Sequence, residues 1–468
     1  MDIIRLLCCI CYFVQIGAIS TNTHLDALKR EVFKNPYKIE AHEHLIKTLM
    51  HEQQYAEAEN YLNEALQLFN KPASLIGLKA ALHVHNNQIE QATACYLELY
   101  KYNQESIALP YNIGWCLSVL HRHDIAIHYY LKALSLDPEY DFAHLGISKA
   151  YLAVGECQKA WPHFERRMAH YKKYVERINV AAMTLNDIIG KRVLVLTEWG
   201  LGDMIQYLRF TKELKKAGAA QVIVQAHEPL VPLFSMCDYI DAVITPQQIP
   251  PAHDIQIPMM SLTYLFNTSL ETIPRDFPYL KARTDLIEAW KPLFKDKSKI
   301  HVGLCWGAKK IFLEDHPYTR RSIPLNMFAA LAEIPNVIFY SLQKVYDTEQ
   351  LQNLPEHFKV HDFGPNFDEQ NGRFMDTAAL LGGDETLDLI ISVDTSVIHL
   401  AGNLAKKPVW VLLPYSAAWW WLYDRTDTVW YPTMRFFRQQ RPLEWGPVFE
   451  DVKKALEQFV QERLTKNQ

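Results

Sequence analysis

Two stretches of the chain hold residue types whose spacing could do chemistry. The first is Glu198-Trp-Gly-Leu-Gly-Asp203, which follows the apolar run 193–196. That pattern reads as a strand buried on both faces, emptying through a glycine turn into a helix. Gly200 and Gly202 would let the backbone approach a ligand closely, and the N–H groups of the helix start favour an anion or a developing negative charge. Asp203 stands at that helix start. As an N-cap it would satisfy helix N–H donors, and its residue type alone favours this role. As a general base it would need a second domain facing it across a cleft.

The second stretch is Leu389-Ile-Ile-Ser-Val-Asp-Thr-Ser-Val-Ile-His-Leu-Ala-Gly402. A buried strand is expected to end at Asp394 and a helix to begin at Thr395 or Ser396, with free N–H groups and a dipole suited to a diphosphate. Thr395 and His399 are four apart, so one helical face would carry a hydroxyl and an imidazole beside that anion. A capped helix with a core histidine is the alternative, and spacing does not separate the two.

The elements that must position these stretches alternate strand and helix. Strand-like runs fall at 193–196, 221–226, 242–245 and 254–257, and a second cycle at 299–305, 336–341, 387–393 and 408–413. Alternation of this kind implies parallel, doubly wound sheets with helices on their faces. Two such sheets facing each other would enclose a cleft at their carboxyl strand ends.

The first third reads differently. Ala58, Ala92, Ala126 and Ala160 are separated by a constant 34 residues, the period of tetratricopeptide repeats. One helical turn after each alanine stand Leu62, Tyr96, Tyr130 and Phe164, and twelve residues before them stand Ile46, Ala80, Gly114 and Ser148. Four helix pairs of this kind stack into a solenoid, since no single repeat can bury its own apolar face. The pairs His83/His85 and His121/His123 are spaced two apart, which on a helix turns their rings away from each other, so they are expected to face solvent. The fold class expected is α/β with an all-α N-terminal repeat region. A hydrophobic segment 1–22 precedes repeats over 23–175, then a first Rossmann-like domain over 185–290 and a second over 291–468.

Composition narrows the function classes. The 468 residues are 49% hydrophobic and 22% charged, which is globular and excludes a largely disordered chain. The net charge of −5 and the absence of a Lys/Arg-rich run leave no electrostatic footprint for nucleic acid. Three of the eight cysteines lie at Cys8, Cys9 and Cys11, and the others are dispersed without a CxxC pair, so neither a disulfide framework nor a zinc site is expected.

Residues from about 191 to 440 resemble the heptosyltransferase-like glycosyltransferases (glycosyltransferase family nine, GT-B fold), and within them the bacterial subgroup in which tetratricopeptide repeats precede that domain. The motifs are Glu198-Trp-Gly-Leu-Gly-Asp203, Val302-Gly-Leu-Cys-Trp306, Arg321-Ser-Ile-Pro324, Ser341-Leu-Gln-Lys344, Asp376-Thr-Ala-Ala-Leu380, Asp394-Thr-Ser-Val-Ile-His-Leu400 and Trp430-Tyr-Pro-Thr-Met-Arg435. Ala160-Trp-Pro-His-Phe-Glu-Arg166 is similar to that subgroup as well. The resemblance implies an inverting glycosyltransferase with a nucleotide-diphosphate sugar as donor substrate, no cofactor and no metal. It implies Asp203 as the base on the acceptor hydroxyl, and Asp394, Thr395, Ser396 and His399 around the leaving diphosphate. Arg320 or Arg321 falls where the family places a basic residue against the phosphates, and an arginine fork suits that job. Gln343 and Lys344 would lie near the ribose or base, with Asp376 and Thr377 lining the same pocket.

The partners implied are the nucleotide sugar and a protein or glycan acceptor, with the repeat groove as a possible place to hold it. Nucleotide sugars are made in the cytosol, so a cytoplasmic protein is expected. For residues 1–20 a secretory signal, a weak membrane anchor and an apolar helix folded onto the repeats stay open. Three departures from the subgroup stand out: Ala418-Trp-Trp-Trp421 replaces Asp-Trp-Arg-Trp, Lys309 stands where asparagine is common, and a Trp-Gly segment is absent from 183–190. They leave a second reading, a tetratricopeptide scaffold whose transferase half is degenerate and non-catalytic.

Overall fold

The computed structural model describes residues 21–168, 183–309 and 318–466. The expected N-terminal segment 1–20 and most of the linker before residue 183 lie outside the described residues. Contacts divide the chain into two compact units, one ending at Val154 and one starting at Gly155, with Tyr318 belonging to the first.

The first unit is a run of antiparallel helices: α1 (Thr21–Lys34), α2 (Ile39–His51), α3 (Tyr55–Leu68), α4 (Ala73–His85), α5 (Ile89–Tyr102), α6 (Ala108–Val119), α7 (His123–Leu136) and α8 (Asp141–Ala153). Ala58, Ala92 and Ala126 are fully buried, as the 34-residue period requires. The period also reaches the backbone. Gln53, Asn87, His121 and Gly155 all have positive φ, between 59° and 83°, and each ends the first helix of its pair. Gly114 is small because a methyl group there would lie 2.9 Å from the Tyr130 ring, and Gly146 presses on the same ring from the next hairpin. The hydroxyl of Tyr318 donates to the Asn87 carbonyl at 3.4 Å.

The histidine pairs differ from expectation. His123 is 9% exposed, and its ring meets that of His121 edge-on at 5.8 Å. The argument from helical spacing fails because His121 lies in the left-handed turn and the helix begins only at His123. His85 is stacked on Tyr55 at 4.6 Å.

The second unit opens with α9 (Cys157–Phe164), which carries Ala160 of the repeat register yet packs with the α/β region. The Trp161 indole N–H donates to the Thr268 carbonyl at 2.6 Å, and a methyl group on Gly155 would lie 2.9 Å from Leu270. The repeat domain expected over 23–175 therefore ends, by contacts, at Val154.

Two parallel sheets follow. The first comprises β1 (Arg192–Leu196), β2 (Gln221–Gln225), β3 (Ala242–Ile244) and β4 (Ile255–Pro258) in the order β3-β2-β1-β4. The second comprises β5 (Ile300–Cys305), β6 (Val337–Ser341), β7 (Val360–His361), β8 (Leu389–Val393), β9 (Val409–Leu413) and β10 (Met434–Arg438) in the order β10-β9-β8-β5-β6-β7. Every pairing is parallel. β5, β8 and β9 are buried at every residue, which is why they read as apolar runs broken only by His301 and Ser392. β10 escaped the sequence pattern because Arg435 and Arg438 interrupt its apolar residues.

The helices that bear on the site are α10 (Leu201–Tyr207), α11 (Arg209–Lys216), α12 (Thr284–Trp290), α13 (Met375–Gly382), α14 (Ser396–Leu404) and α15 (Gly446–Lys466). Phe449, Val452 and Leu456 of α15 close a core with Trp410, Phe437 and Phe328 over the second sheet. Sheet order reverses between β1 and β4 in the first sheet and between β5 and β8 in the second. Open α/β sheets take ligands at the carboxyl ends of strands beside such a reversal. The two stretches singled out by chemistry leave β1 and β8, one at each reversal.

Candidate functional site

β1 ends at Leu196, and the turn to α10 is held residue by residue. Trp199 is left-handed at φ 52°, a conformation that costs a non-glycine residue about 1–2 kcal/mol. His227 Nε2 meets the Trp199 carbonyl at 2.8 Å. The Gly200 N–H donates to Asp203 Oδ2 at 3.0 Å. Asp203 is thus not the N-cap expected from its type: it lies in the first helical turn and reaches back to the cap residue, the reciprocal half of a capping box. It stays half-buried. Gly202 has a different reason to be glycine, since a methyl group there would stand 2.8 Å from His399 Cδ2 and 3.5 Å from Ser396 Cα. The two helix starts meet at that point.

On the other side, β8 delivers Asp394, 2% exposed, and α14 begins at Ser396. Asp394 Oδ2 accepts the Trp421 indole N–H at 2.8 Å, Oδ1 lies 3.7 Å from His399 Nε2, and the main-chain carbonyl accepts from Arg321 Nη1 at 3.2 Å. Burial pushes the Asp394 carboxyl up, but contact with His399, the Arg321 charge and the Trp421 donor outweigh it and hold it below the usual carboxylate range. His399 is 3% exposed, hydrogen-bonded through Nδ1 to the Tyr431 hydroxyl at 3.0 Å and stacked on Trp421 at 5.4 Å.

Several expected site residues are turned elsewhere. Thr395 sits before the helix, its hydroxyl 3.4 Å from Ser392 Oγ and 3.6 Å from Cys305 Sγ, so it does not share a face with His399. Gln343 accepts the N–H groups of Trp306 and Gly307 at 2.9 and 2.7 Å and donates to the Gly307 carbonyl at 3.0 Å. Its carboxamide braces the loop after β5. Lys344 donates to the Phe367 carbonyl at 2.6 Å and pairs with Glu369 at 3.6 Å. Asp376 accepts from Trp290 Nε1, the Asp368 N–H and Asn371, while the Thr377 hydroxyl bonds the Asp368 carboxylate. That knot ties α12 to α13. Arg320 is exposed, and Arg321 touches the β8 turn.

Four further residues carry much of the architecture. Tyr431 and Trp421 hold the His399 ring between them. Arg209, 2% exposed, donates to the carbonyls of Gln206, Pro274 and Trp430 within a cage of Phe277, Tyr279, Trp430 and Tyr431. Arg167 is the fourth. For Trp421 and Tyr431 the sequence signal is the density of tryptophan and tyrosine at 419–421 and 430–431, which reads equally as packing. Among the described residues no group of three or more His, Cys, Asp or Glu side chains is placed to hold a metal ion, and no helix is long and apolar enough to cross a membrane.

Comparison with known proteins bears on the repeats. The tetratricopeptide repeat family profile matches residues 111–140. Protein FlbA of Caulobacter vibrioides is 24% identical over 346 residues, covering 68% of this chain and 56% of its own length, so the chain spans little more than half of that relative. A solved structure of MamA is 21% identical, covering 32% of this chain and 87% of that one at a TM-score of 0.29. A MamA RS-1 double mutant is 18% identical, covering 32% and 84% at a TM-score of 0.30. The chain thus joins a tetratricopeptide-type helical repeat region, of the kind that serves protein interaction, to a parallel-sheet α/β region.

Proposed function

We propose that this chain is a tetratricopeptide-repeat scaffold that engages a protein partner through its helical hairpins. The observation that carries this reading is the repeat match at 111–140, supported by the left-handed turns at Gln53, Asn87, His121 and Gly155 that carry the period through four hairpins. Stacked hairpins of this kind offer an extended surface larger than any single domain face. Photocrosslinking from Lys79 and Asn112, on the first helices of neighbouring hairpins, tests it in the full-length chain. One defined partner captured at both positions, and lost in Lys79→Glu and Asn112→Glu, is the expected result. Capture unaffected by either variant would remove the repeats as the binding surface.

A second reading gives the α/β unit an activity: inverting, metal-independent glycosyl transfer from a nucleotide-diphosphate sugar, with the two sheets as a GT-B pair. The approach of Gly202 to His399 favours it, since it sets the Asp203 turn beside the Asp394–His399 turn at both sheet reversals. In that reaction Asp203 takes the acceptor hydroxyl proton as the oxygen bonds the anomeric carbon. The bond from that carbon to the diphosphate oxygen breaks, and the diphosphate leaves towards the N–H groups of α14 and the Arg321 guanidinium. Thermal-shift titration with ADP, GDP, UDP and dTDP, beside Asp203→Ala and His399→Ala variants, tests it. Selective stabilisation by one nucleotide, kept in Asp203→Ala, is expected. No shift with any nucleotide leaves the scaffold reading alone.

A further inference from the structure

The motif Ala160-Trp-Pro-His-Phe-Glu-Arg166 has no role in either reading, yet the residue that follows it is among the most buried charges of the chain. Arg167 is 2% exposed. Its guanidinium forks onto Glu198, Nε to Oε1 and Nη2 to Oε2, both at 3.0 Å. Nη2 also reaches Ser261 Oγ at 2.7 Å, and Nη1 reaches Glu165 Oε1 at 2.7 Å and the Phe164 carbonyl at 3.2 Å. The network closes on itself: the Ser261 hydroxyl donates to Glu165 Oε2 at 2.8 Å, and the Met260 N–H donates to Glu198 Oε2 at 2.9 Å.

A buried ion pair is weak evidence for stability, because apolar residues of the same volume often serve as well. What it can supply is a single geometry, and here that geometry acts on Glu198. Glu198 opens the run that ends at Asp203. The next residue, Trp199, is in the left-handed region and would relax if left alone. It is held from the same side: Phe164, whose ring lies under the Arg167 guanidinium at 4.5 Å, meets the Trp199 ring edge-on at 5.8 Å. The Trp161 bond to the Thr268 carbonyl anchors the helix from which this contact comes.

We infer that Arg167 is a positioning residue for Asp203, locking Glu198 and the strained Trp199 turn so that the Gly200–Asp203 bond forms. The conformational part stands without the transferase reading; the catalytic consequence rests on it.

The test is the Arg167→Met/Glu198→Met double variant of the full chain, which removes the fork and its carboxylate together and leaves Glu165 bonded to the Ser261 hydroxyl, beside Arg167→Lys, which keeps the charge and loses the fork. Amide hydrogen exchange is read at Gly200, whose N–H donates to Asp203, and in β5 and β8 as internal controls. Exchange at Gly200 is expected to rise at least tenfold in the double variant and by a smaller factor in Arg167→Lys, with the sheet unchanged. If transfer is found, kcat should fall at least tenfold with KM within twofold. Unchanged Gly200 exchange in a folded variant overturns the inference, and Arg167→Lys decides if the double variant does not fold. Faster exchange in a chain that transfers no sugar leaves Arg167 as a positioning residue and removes Asp203 as a base.

Discussion

Gly202 and His399 lie so close that a methyl group on the glycine would stand 2.8 Å from the imidazole Cδ2 and 3.2 Å from Nε2. The imidazole has nowhere to go, since it is stacked on Trp421 and bonded to Tyr431. Gly202→Ala should therefore destabilise the chain by about 1–3 kcal/mol, the usual range for overpacking, despite the better helix propensity of alanine. Denaturant unfolding of the two proteins measures this; equal midpoints would mean that the helix starts can part without penalty.

Trp421→Phe removes one donor from a buried carboxylate. Asp394 is held below its ordinary range in the folded chain, so its contribution to stability is present above the unfolded value near 3.8 and is lost as pH falls through the folded one. Losing the indole N–H should raise the folded value and cost about 1–3 kcal/mol at pH 7. The gap between variant and wild type should narrow as pH drops below 4, and a gap independent of pH would show that only packing was lost.

His123 gives the same sign of pH dependence from a different cause. Burial, with the neighbouring His121, lowers its pKa from 6.5 to about 4. Below pH 6.5 the unfolded chain takes up a proton that the folded one refuses until about 4, so the repeats should lose stability across that window. The shift corresponds to about 3 kcal/mol at most. His123→Phe should flatten the dependence between pH 7 and 4.5, measured by urea unfolding followed by helix content. An unaltered slope would assign the acid sensitivity to another group.

Tyr130 fills the space left by Gly114 and Gly146 on the first helices of two successive hairpins. Alanine at Gly146 meets the fully buried ring head-on, so Gly146→Ala should destabilise the repeats by about 1–3 kcal/mol. The double variant Gly146→Ala/Tyr130→Leu should recover part of this loss, and a loss of the same size in both would mean that the ring is not the obstacle.

The comparison of expectation with structure is uneven along the chain. The 34-residue alanine register predicted which side chains of α3, α5 and α7 would be buried, because a repeat must satisfy the same contact each time. Strand positions were legible to within a residue or two wherever both faces are covered, as in β5, β8 and β9. The site was legible only at its turns. Gln343, Lys344, Asp376 and Thr377 stand at strand and helix ends where a ligand contact and a loop brace use the same residue types, and their partners lie far away in sequence: Gln343 bonds Trp306 and Gly307, and Asp376 bonds Trp290.

Sequence alone determined the repeat period, the parallel strands and the two glycine- or aspartate-bearing turns, because each is a local pattern imposed by helical or strand geometry. Tertiary structure alone decided that α9 packs with the α/β unit, that Arg167 forks onto Glu198, that Arg209 sits in its aromatic cage, and that Trp421 and Tyr431 clamp His399. These pairings join residues distant in sequence, 221 positions apart for Arg209 and Trp430. A buried charge advertises in sequence only its type, and which carboxylate or carbonyl satisfies it is fixed by how the chain closes around it.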